Sequence, residues 1–394
     1  MSSIGVLAGV RIALIHEWLV VPAGSEQVLR EFVSLFPEAD VFCLVDGLCD
    51  GDRRELGVGR PYTSFLQRLP RASRYYRHLL PIMPWAIESI DLSSYDLVIS
   101  NSHAVAKGAR ANSSALHICH CCSPMRYAWD LREEYLREAG LDQGVRGMLL
   151  RSVLERLRLW DHRSTSRVSQ FIAISEFIRD RIARAYDRQS TVIYPPVDVD
   201  WYCPDATVRE NHYVTASRFV GYKRIPEIVA AFRELPDHRL VVIGDGPDRS
   251  RVEAVAGSNV TLLGRQSRES LRHELRRARA FLFAAEEDFG IAPVEAQACG
   301  TPVIAYGRGG ALETIIGNGP DRTGRFFDSV SPASIAAAVI AFEAEEAPTA
   351  ANCRKNAERF STLRFRREIL EHVEQAWRRH QMVAPPTLES LHVG

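Results

Sequence analysis

The stretch AFLFAAEEDFGIAPVEAQACGTPVIAY, residues 280–306, decides how the rest of the chain is read. It opens on an unbroken apolar run, AFLFAA (280–285). It then passes through the acids Glu286, Glu287 and Asp288 to Gly290, and predicts a helix beginning near Pro293. Proline suits the first turn of a helix, because its missing N–H would have no partner there. A second apolar run, TPVIAY (301–306), follows at once. Strand, helix and strand in so short a span make a βαβ unit, whose strands lie parallel. Apolar runs without polar alternation suit strands covered on both faces.

The same alternation extends outward. HYVTAS (212–217), RLVVIGDG (239–246) and NVTLLG (259–264) are strands, and IPEIVAAFREL (225–235) is a helix. Towards the N-terminus RIALIH (11–16), DLVISN (96–101), ALHICHCC (115–122) and FIAIS (171–175) are strands, with an amphipathic helix at SEQVLREFVSLF (25–36). Between the two series lies YPPVDVDWYCPDATVREN (194–211), rich in Pro and Asp and without helical period. The expected organisation is α/β, with two Rossmann-like, doubly wound domains. An N-terminal domain covers 1–196, a linker 197–211 and a C-terminal domain 212–380, and 381–394 form a disordered tail. Residues 351–380 predict a terminal helix packing back on the first domain. Two open parallel sheets facing one another leave a central cleft at their strand carboxyl ends, where such folds bind ligands.

Composition narrows the function. The 394 residues carry 49 basic and 49 acidic side chains, which argues against a general polyanion binder. No apolar run approaches the roughly 18 residues that a membrane span needs. The first residues lack the basic start of a signal peptide. Eight cysteines are too few for a disulfide scaffold, and several sit in apolar runs, which fits a reducing cytoplasm. Three lysines stand against 46 arginines, so each lysine is a position where the drift to Arg was not followed.

Glu287 and Glu295 lie eight residues apart, one in the loop after a strand and one in the following helix. Both can face a ligand resting on that helix N-terminus, where free N–H groups attract anions. Carboxylates beside a phosphate site bind hydroxyls. The alternative is that Glu295 only complements the helix dipole. Arg218 and Lys223, five apart between a strand and a helix, place two cations on one loop, suited to a diphosphate or to a solvated surface.

Residues 284–315 resemble the E-x7-E signature of the retaining GT-B glycosyltransferases of family 4. HEWLVVPAGSEQVL (16–29), SSYDLVISNSHAVAKGA (93–109), HCCSPMRYAWD (120–130), FIAISEFIRDRI (171–182), YPPVDVDWY (194–202), TASRFVGYKRIPEIVAAF (215–232) and VIGDGPDRSRV (242–252) follow the family in order. Residues 286–315 are most similar to bacterial mannosyltransferases of exopolysaccharide and O-antigen assembly. Ala23 departs from the family's glycine before Gly24. The resemblance implies a metal-independent hexosyltransferase with no cofactor beyond its nucleotide-sugar donor, GDP-mannose. It assigns the diphosphate to Arg218 and Lys223, the ribose to Glu295, and the sugar to Glu287 with Asp288, Phe289, Gly290 and Ile291. Gly24 approaches the diphosphate, and His120 hydrogen-bonds the sugar or acceptor. A UDP-sugar transferase or an epimerase on the same fold, and a non-catalytic nucleotide-sugar or RNA binder, are the alternatives.

Three further features bear on ligands. His117, Cys119, His120, Cys121 and Cys122 crowd one strand, but neighbours on a strand point to opposite faces and no second pair lies nearby, so a zinc site is not expected. Asp198-Val199-Asp200 lies in the linker and is read as linker rather than as a metal pair. Residues 53–78 hold seven arginines among Tyr62, Phe65, Tyr75 and Tyr76, and 146–163 are again basic and amphipathic. Such stretches suit an anionic membrane surface. The expectation is a peripheral protein on the inner face of the cell membrane, acting on a lipid-linked saccharide and binding no nucleic acid.

Overall fold

Two large parallel sheets carry the chain. The computed structural model describes residues 4–130, 132–138, 140 and 143–383. By its internal contacts the chain divides into two units, Met1–Ile174 with Ile178–Ile193 and Phe365–Gly394, and Ser175–Phe177 with Tyr194–Arg364.

The main sheet of the first unit has seven strands among the described residues: β1 (Ile12–His16), β2 (Asp40–Cys43), β3 (Tyr62–Thr63), β4 (Leu97–Ser102), β5 (Leu116–Cys121), β6 (Gln170–Ala173) and β7 (Ser190–Val192), and Trp18–Leu19 pairs with Val45–Asp46 in a separate two-stranded sheet. Their order is β3-β2-β1-β4-β5-β6-β7, and every pairing is parallel. Alternate side chains leave opposite faces. Ala13, Ile15, Phe42 and Val98 enter one buried cluster, and Leu14, Val41, Ile99 and Ile118 the other. Helix α1 (Gly24–Leu35) covers the second face with Val28, Leu29 and Phe32. Helix α2 (Gly144–Ser164) contributes Leu154 and Leu157 to the first face. It is also pinned by a buried ion pair between Lys107 and Asp161. The other Asp161 oxygen accepts from Trp129 Nε1 and Tyr186 Oη, each at 2.8 Å. With its lone pairs filled, this buried carboxylate avoids the cost of an unmatched charge.

The second unit holds β8 (His212–Ala216), β9 (Arg239–Ile243), β10 (Val260–Gly264), β11 (Ala280–Phe283), β12 (Val303–Tyr306) and β13 (Gly324–Phe327), in the order β10-β9-β8-β11-β12-β13, again all parallel. In each sheet the winding reverses beside the first strand, between β1 and β4 and between β8 and β11. At such a reversal successive helices depart to opposite faces and leave a crevice at the carboxyl ends of the strands.

The structure corrects the end of the chain. Residues 351–380 are two helices, Ala350–Glu358 and Thr362–Val383, rather than one. Between them the Phe360 carbonyl leaves helical bonding and accepts the Val197 N–H at 2.9 Å. Residues 381–383, expected in the tail, close the last helix, and the remainder of 381–394 lies outside the described residues. From Phe365 onward that helix belongs to the first unit, where Phe365, Ile369, Val373 and Trp377 join the α1 face. Phe365 is fully buried, its ring 5.9 Å from that of Phe32. Truncating a buried phenylalanine costs about 3–5 kcal/mol. Phe365→Ala should therefore lower the urea midpoint of the first unit clearly, and an unchanged midpoint would remove the last helix from this core.

Candidate functional site

The crevice of the second sheet gathers the charged residues. Chain leaving β8 carries Arg218, which is exposed and lines an open cavity of about 320 Å³. The chain then makes a 3-10 turn, Gly221–Lys223, that ends on Arg224 in the left-handed region at φ 56°. A non-glycine residue there is uncommon and redirects the backbone sharply. It aims Lys223 at the loop after β11, where the ammonium forms an ion pair with Glu287. Both side chains are more than four-fifths buried, at 18% and 17% exposure, so solvent screens the pair little.

Glycines and one serine fix the loop that carries Glu287. Gly310 N–H donates to the Glu287 carbonyl at 2.7 Å. A Cβ at Gly310 would sit 2.4 Å from Phe289 Cα, so only glycine allows this approach. Ser175 Oγ donates to the Asp288 carbonyl at 2.5 Å. Gly290 turns the chain at φ 87° into helix α3 (Ile291–Ala298), which starts two residues before the expected Pro293. Phe289 turns inward, packing its ring on Tyr194 and Phe360, and Asp288 is buried, whereas Ile291 is half-buried.

Glu295 lies one turn into α3 and lines the same cavity as Arg218. Burial pushes its carboxyl up to about 7, against the lowering effect of Arg268 and Tyr202. Glu287 and Glu295 thus flank one helix start, the first held by Lys223 and the second half-buried near Arg268 and Tyr202. Asp198 is engaged locally, accepting from Trp201 N–H at 3.1 Å and pairing with Arg268 at 3.3 Å.

The first sheet gives a different result from the one expected. His120 lies inside the β5 ladder and is fully buried. Its ring meets Phe32 and Phe365 edge-on, Nδ1 contacts Asn101 Oδ1 at 2.9 Å, and burial drives its pKa down to about 3. It is a neutral histidine within the core, and its buried Nε2 makes no hydrogen bond. His117 points to the other side, with Nε2 2.8 Å from Ser100 Oγ. Gly24 opens helix α1, and Glu26 caps that helix by accepting the Ala23 N–H at 3.1 Å.

What the expectation missed is the edge between β1 and β4. Glu17, fully buried just past β1, accepts on Oε1 from Ser102 Oγ and from the N–H groups of His103, Ala104 and Ala106, at 2.8–3.2 Å. Its Oε2 lies 3.1 Å from His103 Nδ1. Burial alone would raise this carboxyl, but His103, His16 and the backbone donors hold it far below the usual range. In the sequence the sign was a charged or polar residue directly after each buried strand, HEW and SNSH.

Residues 206–360 match the family described as glycosyl transferases group 1, and residues 22–201 match glycosyltransferase family 4. Both halves of the chain belong to the group 1/family 4 glycosyltransferases. Among curated relatives, a GDP-mannose-dependent monoacylated alpha-(1-6)-phosphatidylinositol monomannoside mannosyltransferase of Corynebacterium glutamicum is 36% identical over 24% of this chain and 26% of its own. A GDP-mannose-dependent alpha-(1-6)-phosphatidylinositol monomannoside mannosyltransferase of Mycolicibacterium smegmatis is 30% identical over 42% and 50%. The chain thus spans no more than half the length of these relatives. The crystal structure of Anabaena HepE in complex with UDP has the same fold, with a TM-score of 0.66 at 18% identity over 93% of this chain and all of that one. Sucrose-phosphate synthase from Thermosynechococcus elongatus is similar, at 0.65 and 18% over 95% of this chain and all of that one.

In this glycosyltransferase-family chain the Glu295 carboxyl supplies a test that needs no substrate. Its folded pKa lies above its unfolded value of 4.5, so between those limits the folded state binds more protons than the unfolded. Stability therefore falls as pH rises from about 4.5 to about 7 and is unaffected by this group below that window. Glu295→Gln should leave the melting temperature unchanged near pH 4 and raise it near pH 8. Equal shifts at both pH values would contradict the buried carboxyl.

Proposed function

We propose that the protein is a retaining hexosyltransferase that moves mannose from GDP-mannose to a hydroxyl of a lipid-linked saccharide, in the assembly of a cell-surface polysaccharide. The observation that carries this proposal is the Lys223–Glu287 pair beside Arg218 and Glu295, at the reversal of the second sheet. Two cations and a helix start meet the charge of a diphosphate, and two carboxylates meet the hydroxyls on either side of it. Glu295 accepts from the ribose, and those hydrogen bonds favour its ionised form. Glu287 exchanges its contact with Lys223 for the sugar hydroxyls, while Lys223 turns to the phosphates. By resemblance to the family, the acceptor attacks the face that the diphosphate leaves, and the departing phosphate oxygen takes the acceptor proton. The negative charge that develops on that oxygen is what Arg218 and Lys223 stabilise, and no metal has a place in the scheme.

Losing one preorganised charge stabiliser costs about 10²–10³ in turnover. Arg218→Ala and Lys223→Ala, assayed in excess chelator with labelled sugar donors, should each fall by that factor while keeping the wild-type melting profile. A variant that keeps more than about a tenth of wild-type turnover would end this assignment. A second donor class is favoured by the solved relatives, whose descriptions name UDP and UDP-glucose. Calorimetry with GDP- and UDP-sugars separates the two.

The acceptor side rests on the first unit. No helix among the described residues is long and apolar enough to cross a membrane. Helix α2 exposes Val145, Met148 and Leu149 on one face of its first turns, next to Arg146 and Arg151, and Trp85 is 74% exposed. Apolar side chains flanked by arginine suit an anionic lipid surface at the inner face of the cell membrane. Met148→Glu with Leu149→Glu should abolish co-sedimentation with anionic liposomes at low salt, and wild-type binding should be lost near 1 M salt, where screening shortens to about 3 Å. Sedimentation unchanged in that variant would leave a soluble acceptor as the substrate.

A further inference from the structure

The first sheet reverses its winding between β1 and β4, just as the second does between β8 and β11, and its crevice also holds charged side chains. Glu17 follows β1 directly and His103 follows β4 directly, on strands paired in register up to His16 and Asn101. Five groups around Glu17 fix its carboxylate, leaving it no freedom to turn away from the imidazole. The His103 ring is fixed as well, edge-on to Trp18 at 5.0 Å between centroids. Nδ1 faces Glu17 Oε2 at 3.1 Å, an ion-pair distance at which neither atom completes a hydrogen bond, and 29% of the side chain is exposed. A histidine held beside a carboxylate on its Nδ1 side is left with Nε2 as its outward donor.

We propose that His103, oriented by Glu17, is the side chain with which the first unit binds its ligand, donating from Nε2 to an oxygen of a phosphate group. The start of helix α1 is already occupied by the Glu26 carboxylate, which accepts from Ala23 N–H and Ser25 Oγ, so one neighbour is left to favour an anionic oxygen. Arg126, after β5, is close enough to act electrostatically on His103. The other titratable groups facing the ring are Glu26 on α1 and His16 on β1, which are themselves paired at 3.3 Å. Burial alone would lower the His103 pKa, but Glu17 and Glu26 raise it above its ordinary value, so the donor form persists towards neutral pH. Glu17 is a positioning residue. It touches no ligand and acts through the ring.

The phosphate belongs either to the donor or to a lipid-phosphate acceptor, and in naming these two sources the inference rests on the glycosyltransferase reading above. Calorimetry on the full chain separates them, with GDP as one probe and farnesyl phosphate in neutral detergent micelles as the other, each at pH 6.5 and pH 9. Wild type should bind at least one probe more tightly at pH 6.5. His103→Asn should weaken that probe about tenfold at pH 6.5 and abolish its pH preference, the scale of one hydrogen bond to a charged group. Loss for GDP assigns the oxygen to the donor, and loss for farnesyl phosphate assigns it to the acceptor. Glu17→Gln should retain binding but move the pH at which it weakens downward, which a purely structural glutamate would not do. Arg218→Ala, measured alongside, should weaken GDP alone, so a failure of the donor site is read separately from a failure at His103. If His103→Asn binds both probes as wild type does at both pH values, or Glu17→Gln leaves the pH dependence in place, the proposal is overturned.

Discussion

A parallel strand delivers its carboxyl end and the start of the following helix to the same edge of the sheet. Where two neighbouring strands send their helices to opposite faces, that edge opens and nothing covers the loops. Both sheets begin at such a strand, so the opening is fixed by the first strand of each unit, β1 and β8, before any functional side chain is placed. The charged residues then follow from chain order. Glu17 and His103 are the first residues beyond β1 and β4. Arg218 and Glu287 lie two and four residues beyond β8 and β11.

The two openings are furnished differently. In the second unit a lysine and a glutamate form an ion pair at small exposure. Glu295 is held where burial disfavours its charge, against Arg268 and Tyr202. In the first unit the carboxylate is locked by the backbone and the histidine alone is presented.

Much of this was legible in the sequence, for reasons that also explain what was not. Long apolar runs such as RIALIH and HYVTAS must be strands buried on both faces, and their alternation with helices gave the two sheets. Arg218, Lys223, Glu287 and Glu295 stood out because each directly follows such a run or opens the helix after it. Strands of two to four residues at the sheet edges, Tyr62–Thr63, Ser190–Val192 and Gly324–Phe327, escaped because they are held by ladder bonds to a neighbour rather than by their own pattern. The different surroundings of His120 and His103 follow from where each strand stops. β5 continues to Cys121, which keeps His120 within the ladder and between two phenylalanines, whereas β4 stops at Ser102 and releases His103 past the edge. The break at 359–361 depends on Val197, more than 150 residues away in sequence, and no local pattern announces it.

The central claim is that the crevice of the second sheet is where a nucleotide diphosphate binds. Hydrogen exchange of backbone amides, followed by mass spectrometry on the full chain with GDP and with UDP, tests it most directly. At least one nucleotide should slow exchange in the segments 217–224 and 286–295 above all others. If neither nucleotide slows these segments, or if the protection falls elsewhere in the second unit, the account is contradicted.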